Sequence, residues 1–200
     1  MKLFLNKTSP YARMIRIILL EKNMIENLEL CWCDPWSDDK DLLAENPVGK
    51  IPTLVLDTGL ALSESLLIAF YLDSKDPSNH LLQNNLQEKV LHLAGLGQGL
   101  MDSAFTTVIT KKYLNDSASE SVLSQRRERA IQRTLEYLEE NIPLYSALDA
   151  ISMGDISVAV ALNYLALRLP ELNTANKYQK LELWRQKVST RPSFKDTSFD

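Results

Sequence analysis

Short apolar runs and helical patterns alternate along the first eighty residues of the chain. Lys2–Leu5 is an apolar run of the kind that forms a buried strand, and Met14 and Ile18 then repeat at helical spacing. Ser9 and Pro10 stand directly before this helical pattern, where serine is a favoured N-cap and proline fits the first helical position. The chain is therefore predicted to open with a strand followed by a helix.

The same alternation continues to about residue 74. The further predicted elements are strands at Leu28–Cys33, Ile51–Leu56 and Leu60–Leu62, and helices at Asp38–Glu45 and from a Ser63 cap to about Ser74. Turn-forming residues at 46–49 and 57–59 separate them. The predicted order is β-α-β-α-β-β-α, which is an α/β arrangement.

A polar stretch at 75–84 follows, and everything after it has helical periodicity. We therefore predict two domains, an α/β domain at 1–76 and an all-helical bundle at 85–200. Gly95, Gly97 and Gly99 fall inside the first long helical pattern, where each glycine costs about 1 kcal/mol relative to alanine. They predict a bend or a close helix contact.

Composition excludes several classes of function. The 200 residues are 45% hydrophobic and 24% charged, which is ordinary for a globular protein. Formal net charge is −4, so a global electrostatic grip on nucleic acid is not expected. The longest charge-free stretches, 90–101 and 156–167, are shorter than the roughly 20 residues that span a bilayer. Neither a nucleic-acid partner nor a membrane is predicted.

The two cysteines bear on the redox state of the protein's compartment and on whether the chain has a metal site. Cys31 and Cys33 are two residues apart in a predicted strand, where a disulfide between them would distort the backbone. With no signal peptide pattern, this favours a reducing, cytoplasmic location. His80 and His92 lie far along the chain, so no metal site is predicted.

Two segments suggest a binding site for a small peptide. Pro52 opens a predicted strand, and a cis bond after Ile51 would bend the chain and leave the Ile51 N–H and C=O exposed for antiparallel pairing. Glu64 and Ser65 fall at a helix N-terminus, where N–H groups and a hydroxyl bind a carboxylate and Glu64 accepts from an ammonium. A backbone edge beside an amino-acid head-group site fits a γ-linked peptide.

These segments resemble the glutathione-binding half of the cytosolic glutathione S-transferases, especially small bacterial members with a Thr-Ser-Pro first motif. The resemblance covers essentially the whole chain. In the first half it includes Thr8–Arg13 at the first helix, Ile51-Pro52 at the cis-proline and Glu64-Ser65 at the γ-glutamyl site. In the second half it includes Ser152–Ala159 at a buried capping box and Arg191–Phe194 at the closing segment. It implies a thioredoxin-like domain followed by a helical one, glutathione as co-substrate, a detoxifying conjugation of a small electrophile, and a homodimer.

The resemblance also implies a role for Ser9. A hydroxyl at a helix N-terminus can donate to a thiolate, and the helix dipole stabilises the same charge, so both lower the thiol pKa. Ser9 could instead only cap the helix, with Thr8 or Tyr11 contacting the thiol. Members that use tyrosine carry it in or just after the first strand, where Leu3–Leu5 has none, and members that use cysteine carry it where Ser9 stands.

Other positions remain open. Lys50 is a candidate for the glycine carboxylate of glutathione, with Lys40 and Arg13 as alternative cations. Tyr11, Met101 and Phe105 are candidates for the electrophile pocket, although Met101 and Phe105 could equally be core residues. Two alternatives to conjugation are a glutathione-dependent isomerase or reductase and a non-catalytic protein of this fold that binds a partner such as the transcription machinery.

Overall fold

The computed structural model describes residues 1–114, 121–145, 150–172 and 174–199. Their contacts divide the chain into two units. The first, which we call the sheet unit, consists of Met1–Asn84 together with the chain from Pro192 onward, and the second, the helical unit, is Asn85–Arg191.

Four short strands form one mixed sheet in the sheet unit. They are β1 (Lys2–Leu5), β2 (Glu29–Trp32), β3 (Thr53–Val55) and β4 (Ala61–Ser63), in the spatial order β2-β1-β3-β4. β1 pairs parallel with β2 and antiparallel with β3, and β3 pairs antiparallel with β4. The register places Thr53 opposite Phe4 on one side and Ser63 on the other.

The helices complete the predicted element order. In chain order they are α1 (Pro10–Glu21), α2 (Lys40–Glu45), α3 (Ser65–Ser74), α4 (Gln87–Tyr113), α5 (Val122–Tyr145), α6 (Met153–Arg168), α7 (Thr174–Lys177), α8 (Gln179–Ser189) and α9 (Pro192–Lys195). The predicted thioredoxin-like β-α-β-α-β-β-α order followed by an all-helical region is confirmed. None of the helices within the described ranges is long and apolar enough to cross a membrane.

Alternation along the strands builds a core on both faces of the sheet. Phe4 and Val55 pack with Leu42 of α2 on one face. Leu3 and Leu54 point the opposite way because successive strand residues alternate, and both are fully buried. Both faces of the sheet are therefore covered by buried side chains.

Two predicted boundaries in the sheet unit are wrong for a physical reason. β3 begins at Thr53 rather than Ile51, because Pro52 has no N–H group to donate to a neighbouring strand. Ser63 does not cap α3, because it is the last residue of β4 and Glu64 holds the N-cap position without a side-chain cap bond.

The end of the chain belongs to the sheet unit and not to the predicted helical domain at 85–200. Residues 192–199 lie against α1. Arg13 donates from Nη2 to the Phe194 carbonyl at 3.2 Å, and its guanidinium lies 4.4 Å from the centre of the Phe199 ring. A cation stacked on an aromatic ring and bonded to a carbonyl fixes this closing segment on the helix.

A buried ion pair ties α1 to α3 and to the segment after it. Lys22 Nζ lies 3.1 Å from Asp73 Oδ1, and the two side chains are 0% and 5% exposed. Burial raises the pKa of the Asp73 carboxyl, but hydrogen bonds from the Leu81 and Leu82 N–H groups and from Lys22 outweigh it, so that the pKa lies below its usual value. The carboxylate is thus stabilised in its charged form.

In the helical unit α4 and α6 approach closely at a small residue on each helix. A Cβ atom on Gly97 would lie 2.6 Å from the backbone of Ser157, and one on Gly154 would lie 2.7 Å from Leu93 Cβ. Ser157 Oγ uses this proximity to donate to the Ala94 carbonyl at 3.1 Å. The expected close helix contact is therefore present, and it occurs at Gly97.

The buried capping box at the start of α6 is also confirmed. Asp155 N donates to Ser152 Oγ at 3.1 Å, and Ser152 N donates to Asp155 Oδ2 at 2.8 Å. Both residues are buried, at 4% and 2% exposure. This reciprocal pair starts the helix that packs on α4.

Alanine at the three glycines of α4 separates close packing from helix propensity. We expect Gly97→Ala to lower the free energy of unfolding by about 1–3 kcal/mol, because the added methyl group meets the backbone of α6. Gly95→Ala and Gly99→Ala are matched controls with no atom within 4 Å of the new Cβ, and they should raise stability by up to about 1 kcal/mol. Urea denaturation measures all three, and equal effects would contradict the close contact.

The lowered pKa of Asp73 should make the free energy of unfolding depend on pH in the acid range. Its pKa is lower folded than unfolded, so its contribution to stability is complete above about pH 5 and is lost as the pH falls through the folded pKa. Asp73→Asn should therefore lose less unfolding free energy than wild type between about pH 5 and pH 3. An unchanged slope in Asp73→Asn would contradict the assignment.

Candidate functional site

The loop between β1 and α1 holds Ser9 at the start of the helix. Asn6 Oδ1 accepts from Ser9 N at 2.8 Å and from Thr8 N at 3.1 Å, which turns the chain into α1. Ser9 is 7% exposed, and its Oγ accepts from Ala12 N at 3.2 Å. The hydroxyl proton of Ser9 has no acceptor among the described residues. Ser9 therefore caps the helix and still has a proton to donate.

The two alternatives to Ser9 are placed differently. Thr8 is exposed, and its Oγ1 lies 3.4 Å from Asn6 Oδ1, within the turn. Tyr11 is half-buried in the first turn of α1. Neither occupies the cap position, where the N–H groups of the helix converge.

The turn before β3 has the geometry expected from the sequence. The Ile51–Pro52 peptide bond is cis, as predicted. Pro52 is buried and Ile51 is half-buried. The N–H and C=O groups of Ile51 form no hydrogen bond with any part of the chain that the structure describes, so they are available to an extended ligand.

Asn46 and Thr53 organise this turn, and we did not single them out from the sequence. Thr53 Oγ1 donates to the Lys50 carbonyl at 2.7 Å, and Asn46 Nδ2 donates to the same carbonyl at 3.1 Å. The two side chains also contact each other, since Asn46 Nδ2 lies 2.9 Å from Thr53 Oγ1. The Asn-Pro-Val-Gly turn was visible in the sequence, but a partner seven residues away was not.

The α3 N-terminus carries a strained residue at the predicted γ-glutamyl site. Glu64 has φ 67° and ψ 116°, a left-handed φ that costs a non-glycine residue about 1–3 kcal/mol. Ser65 follows as the first helical residue and is 3% exposed. Strain of this kind is typical of ligand sites, where the surrounding structure holds the backbone in place.

The strand register brings the three segments to one end of the sheet. Phe4 pairs with Thr53 and Thr53 pairs with Ser63, so the chain after β1, the turn before β3 and the chain after β4 emerge together. Lys50 Nζ lies 3.9 Å from Glu64 Oε1 across two of them. The structure therefore brings together Ser9 and the predicted glutathione-binding residues Lys50, Ile51, Pro52, Glu64 and Ser65.

Comparison with known proteins decides the family. Residues 8–75 match the model of the glutathione S-transferase N-terminal domain. The chain is 30% identical over 171 residues to the uncharacterised GST-like protein YibF of Escherichia coli (strain K12), covering 84% of this chain and 83% of YibF. The chain belongs to the glutathione S-transferase family.

Solved structures of this family share the fold over the full chain. A glutathione transferase family member from Pseudomonas fluorescens Pf-5, crystallised with bound glutathione, is 30% identical and superimposes with a TM-score of 0.92, covering 100% of this chain and 98% of that one. A stringent starvation protein A homologue of Pasteurella multocida is 40% identical over 82 residues, which are 41% of this chain and 37% of that protein.

Three cations of this glutathione S-transferase family member were predicted as candidates for the glycine carboxylate, and one of them, Arg13, binds another part of the chain. It is 5% exposed and binds the closing segment of the chain through Phe194 and Phe199. Lys40 is exposed at the start of α2. Lys50 is the candidate cation that the structure pairs with another predicted ligand residue, Glu64.

The remaining pocket candidates lie on α4 of the helical unit. Met101 is fully buried, and Phe105, one turn further along, is half-buried. Their role in an electrophile pocket stays a prediction.

The two cysteines of this family member are free thiols on and after β2. Burial, together with the nearby Asp39 carboxylate, raises the pKa of Cys33 to about 11. Burial and Glu29 also raise the pKa of Cys31. Both thiols are therefore protonated at neutral pH, which makes them poor nucleophiles.

The Cys33 pKa predicts slow alkylation. At pH 8 only about one thiol in a thousand is ionised when the pKa is about 11, so iodoacetamide should label folded Cys33 far more slowly than free cysteine. The rate should rise about tenfold for each pH unit up to pH 10. Mass spectrometry of the Cys31→Ser variant isolates Cys33, and urea-unfolded protein is the control. Fast labelling at pH 8 would contradict the raised pKa.

Proposed function

We propose that this protein is a glutathione transferase that conjugates the glutathione thiolate to a small electrophile. The observation that supports this most is the convergence at one end of the sheet of a capping hydroxyl with an unused proton, a free backbone edge and a helix N-terminus. These three features match the thiol, the cysteinyl backbone and the γ-glutamyl head group of a γ-linked tripeptide.

Ser9 stabilises the thiolate in this mechanism. Its hydroxyl proton donates to the sulfur while its oxygen keeps the bond from Ala12 N, and the dipole of the twelve-residue α1 favours the same negative charge. The thiol proton leaves to solvent, and the thiolate forms a bond to the electrophilic carbon. A displaced group such as chloride leaves with the bonding electron pair as an anion, whereas the carbanion formed when a double bond is opened takes up a proton from solvent.

Each end of the tripeptide binds to a different group of residues in this proposal. Glu64 accepts from the γ-glutamyl ammonium, and Ser65 with the α3 N–H groups binds its carboxylate. The Lys50–Glu64 pair is exposed and long at 3.9 Å, so its separation costs little. Once Glu64 has turned to the ammonium, Lys50 is released toward the glycine carboxylate. Ile51 pairs with the cysteinyl backbone.

We propose Tyr11, Met101 and Phe105 as residues that bind the electrophile. The assignment rests on their chemistry, because aromatic and thioether side chains bind apolar electrophiles. We further infer a homodimer in a reducing, cytoplasmic environment. Support comes from the exposed leucines Leu60 and Leu67, at 67% and 62%, and from the two free thiols.

A second candidate is a non-catalytic role in binding a protein partner. It is favoured by the 40% identity to the stringent starvation protein A homologue, although that match covers only 41% of this chain. Glu64, Ser65 and the free Ile51 edge favour the transferase, since a partner-binding protein has no use for a tripeptide site.

Ser9→Ala tests the mechanism. A lost hydrogen bond to a charged group is worth about 1.5–3 kcal/mol, so the pKa of the bound thiol should rise by about one to two units, with retained binding. Thiolate absorbance titration and conjugation of chlorodinitrobenzene measure this. Ser9→Gly loses less capping energy and should show the same pKa rise.

The outcomes separate the candidates. Wild-type protein that does not bind immobilised glutathione would refute the transferase. Binding with an unchanged thiol pKa in Ser9→Ala would refute the role of Ser9, and Thr8→Val and Tyr11→Phe would then identify the donor.

A further inference from the structure

The Lys50 carbonyl is held by two side-chain donors at once. Thr53 Oγ1 lies 2.7 Å from Lys50 O and Asn46 Nδ2 lies 3.1 Å from it, and Asn46 Nδ2 also donates to Thr53 Oγ1 at 2.9 Å. Asn46 is 5% exposed and Thr53 is fully buried. Both acceptor positions of this carbonyl are thus used by buried groups, although one bond would satisfy it. We call this arrangement of Asn46, Thr53 and the Lys50 carbonyl the turn clamp.

The turn clamp also fixes a group that it does not touch. The Lys50–Ile51 peptide bond is trans, so the Lys50 C=O and the Ile51 N–H lie in one plane and point in opposite directions. Holding the carbonyl toward Asn46 and Thr53 therefore aims the Ile51 N–H away from them. Within the described residues, neither this N–H nor the Ile51 C=O has a hydrogen-bond partner.

Asn46 stabilises the turn from the other side as well. Its Oδ1 accepts from Val48 N at 3.1 Å, and its carbonyl accepts from Gly49 N at 2.9 Å, where Gly49 takes a left-handed φ of 68°. The backbone before Lys50 is therefore fixed too. Rotation of the Lys50–Ile51 peptide plane would break the bonds from Asn46 and Thr53 together.

We propose that Asn46 and Thr53 are positioning residues for ligand binding, which hold the Lys50–Ile51 peptide plane so that the Ile51 N–H donates to the cysteinyl carbonyl of glutathione. This inference rests on the proposed function. Neither side chain touches the ligand. Their effect is to pre-organise the donor, so that binding does not have to order the turn.

Thr53→Val tests the turn clamp because it removes the hydroxyl at nearly constant volume. The loss of one organising hydrogen bond should weaken glutathione binding by about fivefold to tenfold. KM for glutathione should rise in step, while kcat and the pKa of the bound thiol stay at wild-type values, because Ser9 is untouched. Thr53→Ser restores the hydroxyl and should restore most of the affinity.

Thr197→Val is the matched control. Thr197 is 1% exposed in the same unit, and its hydroxyl donates to the Ser193 carbonyl at 2.7 Å, as Thr53 does to Lys50. It should lower the unfolding midpoint without changing the affinity for glutathione. If Thr53→Val does not fold, Asn46→Ala removes the other donor and is judged by the same KM-against-kcat comparison.

A ligand-side change locates the effect at one bond. In a glutathione analogue with an ester between cysteine and glycine, the cysteinyl carbonyl is a weaker acceptor. Wild-type protein should bind this analogue less tightly than glutathione, and Thr53→Val should discriminate less between the two. Calorimetric titration measures all four pairs.

Each result decides between specific alternatives. Equal affinity of wild type and Thr53→Val, or an equal loss in Thr197→Val, would overturn the turn clamp while leaving the transferase intact. Failure of wild-type protein to bind glutathione would instead overturn the proposed function. A Thr53→Val effect of the same size on glutathione and on the ester would place Thr53 in general stability and refute the positioning role.

Discussion

A hydroxyl group can accept one hydrogen bond while it donates another, and the site depends on this property at Ser9 and at Thr53. Ser9 accepts from Ala12 N to complete the start of α1 and keeps a proton for a ligand. Thr53 accepts from the Asn46 amide and donates to the Lys50 carbonyl. A carboxylate could only accept and an ammonium could only donate, so a charged side chain could not replace either residue. The local fold and the proposed chemistry therefore use the same two oxygen atoms.

Charge imposes a second constraint on the sheet unit. Residues 1–80 contain 8 Lys/Arg and 12 Asp/Glu, whereas the proposed ligand is itself an anion. Lys22 is buried against Asp73, and Arg13 is held by aromatic rings and a carbonyl. Neither cation is therefore available to bind an anionic ligand. Besides the proposed contact from Lys50, positive potential comes from the N-termini of α1 and α3, whose dipoles need no mobile side chain. This part of the potential is in place before a ligand arrives.

The sequence predicted what depends on local pattern and missed what depends on distant partners. Element order, the Ser9 cap, the cis bond and the Ser152–Asp155 box were readable because each is set by neighbouring residues. The left-handed backbone of Glu64 could not be predicted, because the sequence Ser-Glu-Ser gives no indication of a positive φ. Ser63 was predicted as the N-cap because serine is a favoured residue at that position. The closing segment was assigned to the wrong unit because Arg13 and Phe194 are 181 residues apart. The residues that bind the electrophile remain a prediction.

The return of residues 192–199 to α1 has a consequence for biosynthesis. The sheet unit is discontinuous in sequence, with the whole of Asn85–Arg191 inserted into it. At about 5–20 residues per second, a ribosome needs on the order of ten seconds to translate that insertion. During this interval the guanidinium of Arg13 faces water instead of Phe199. The helical unit, although it follows most of the sheet unit in the sequence, therefore has all of its residues before the sheet unit does.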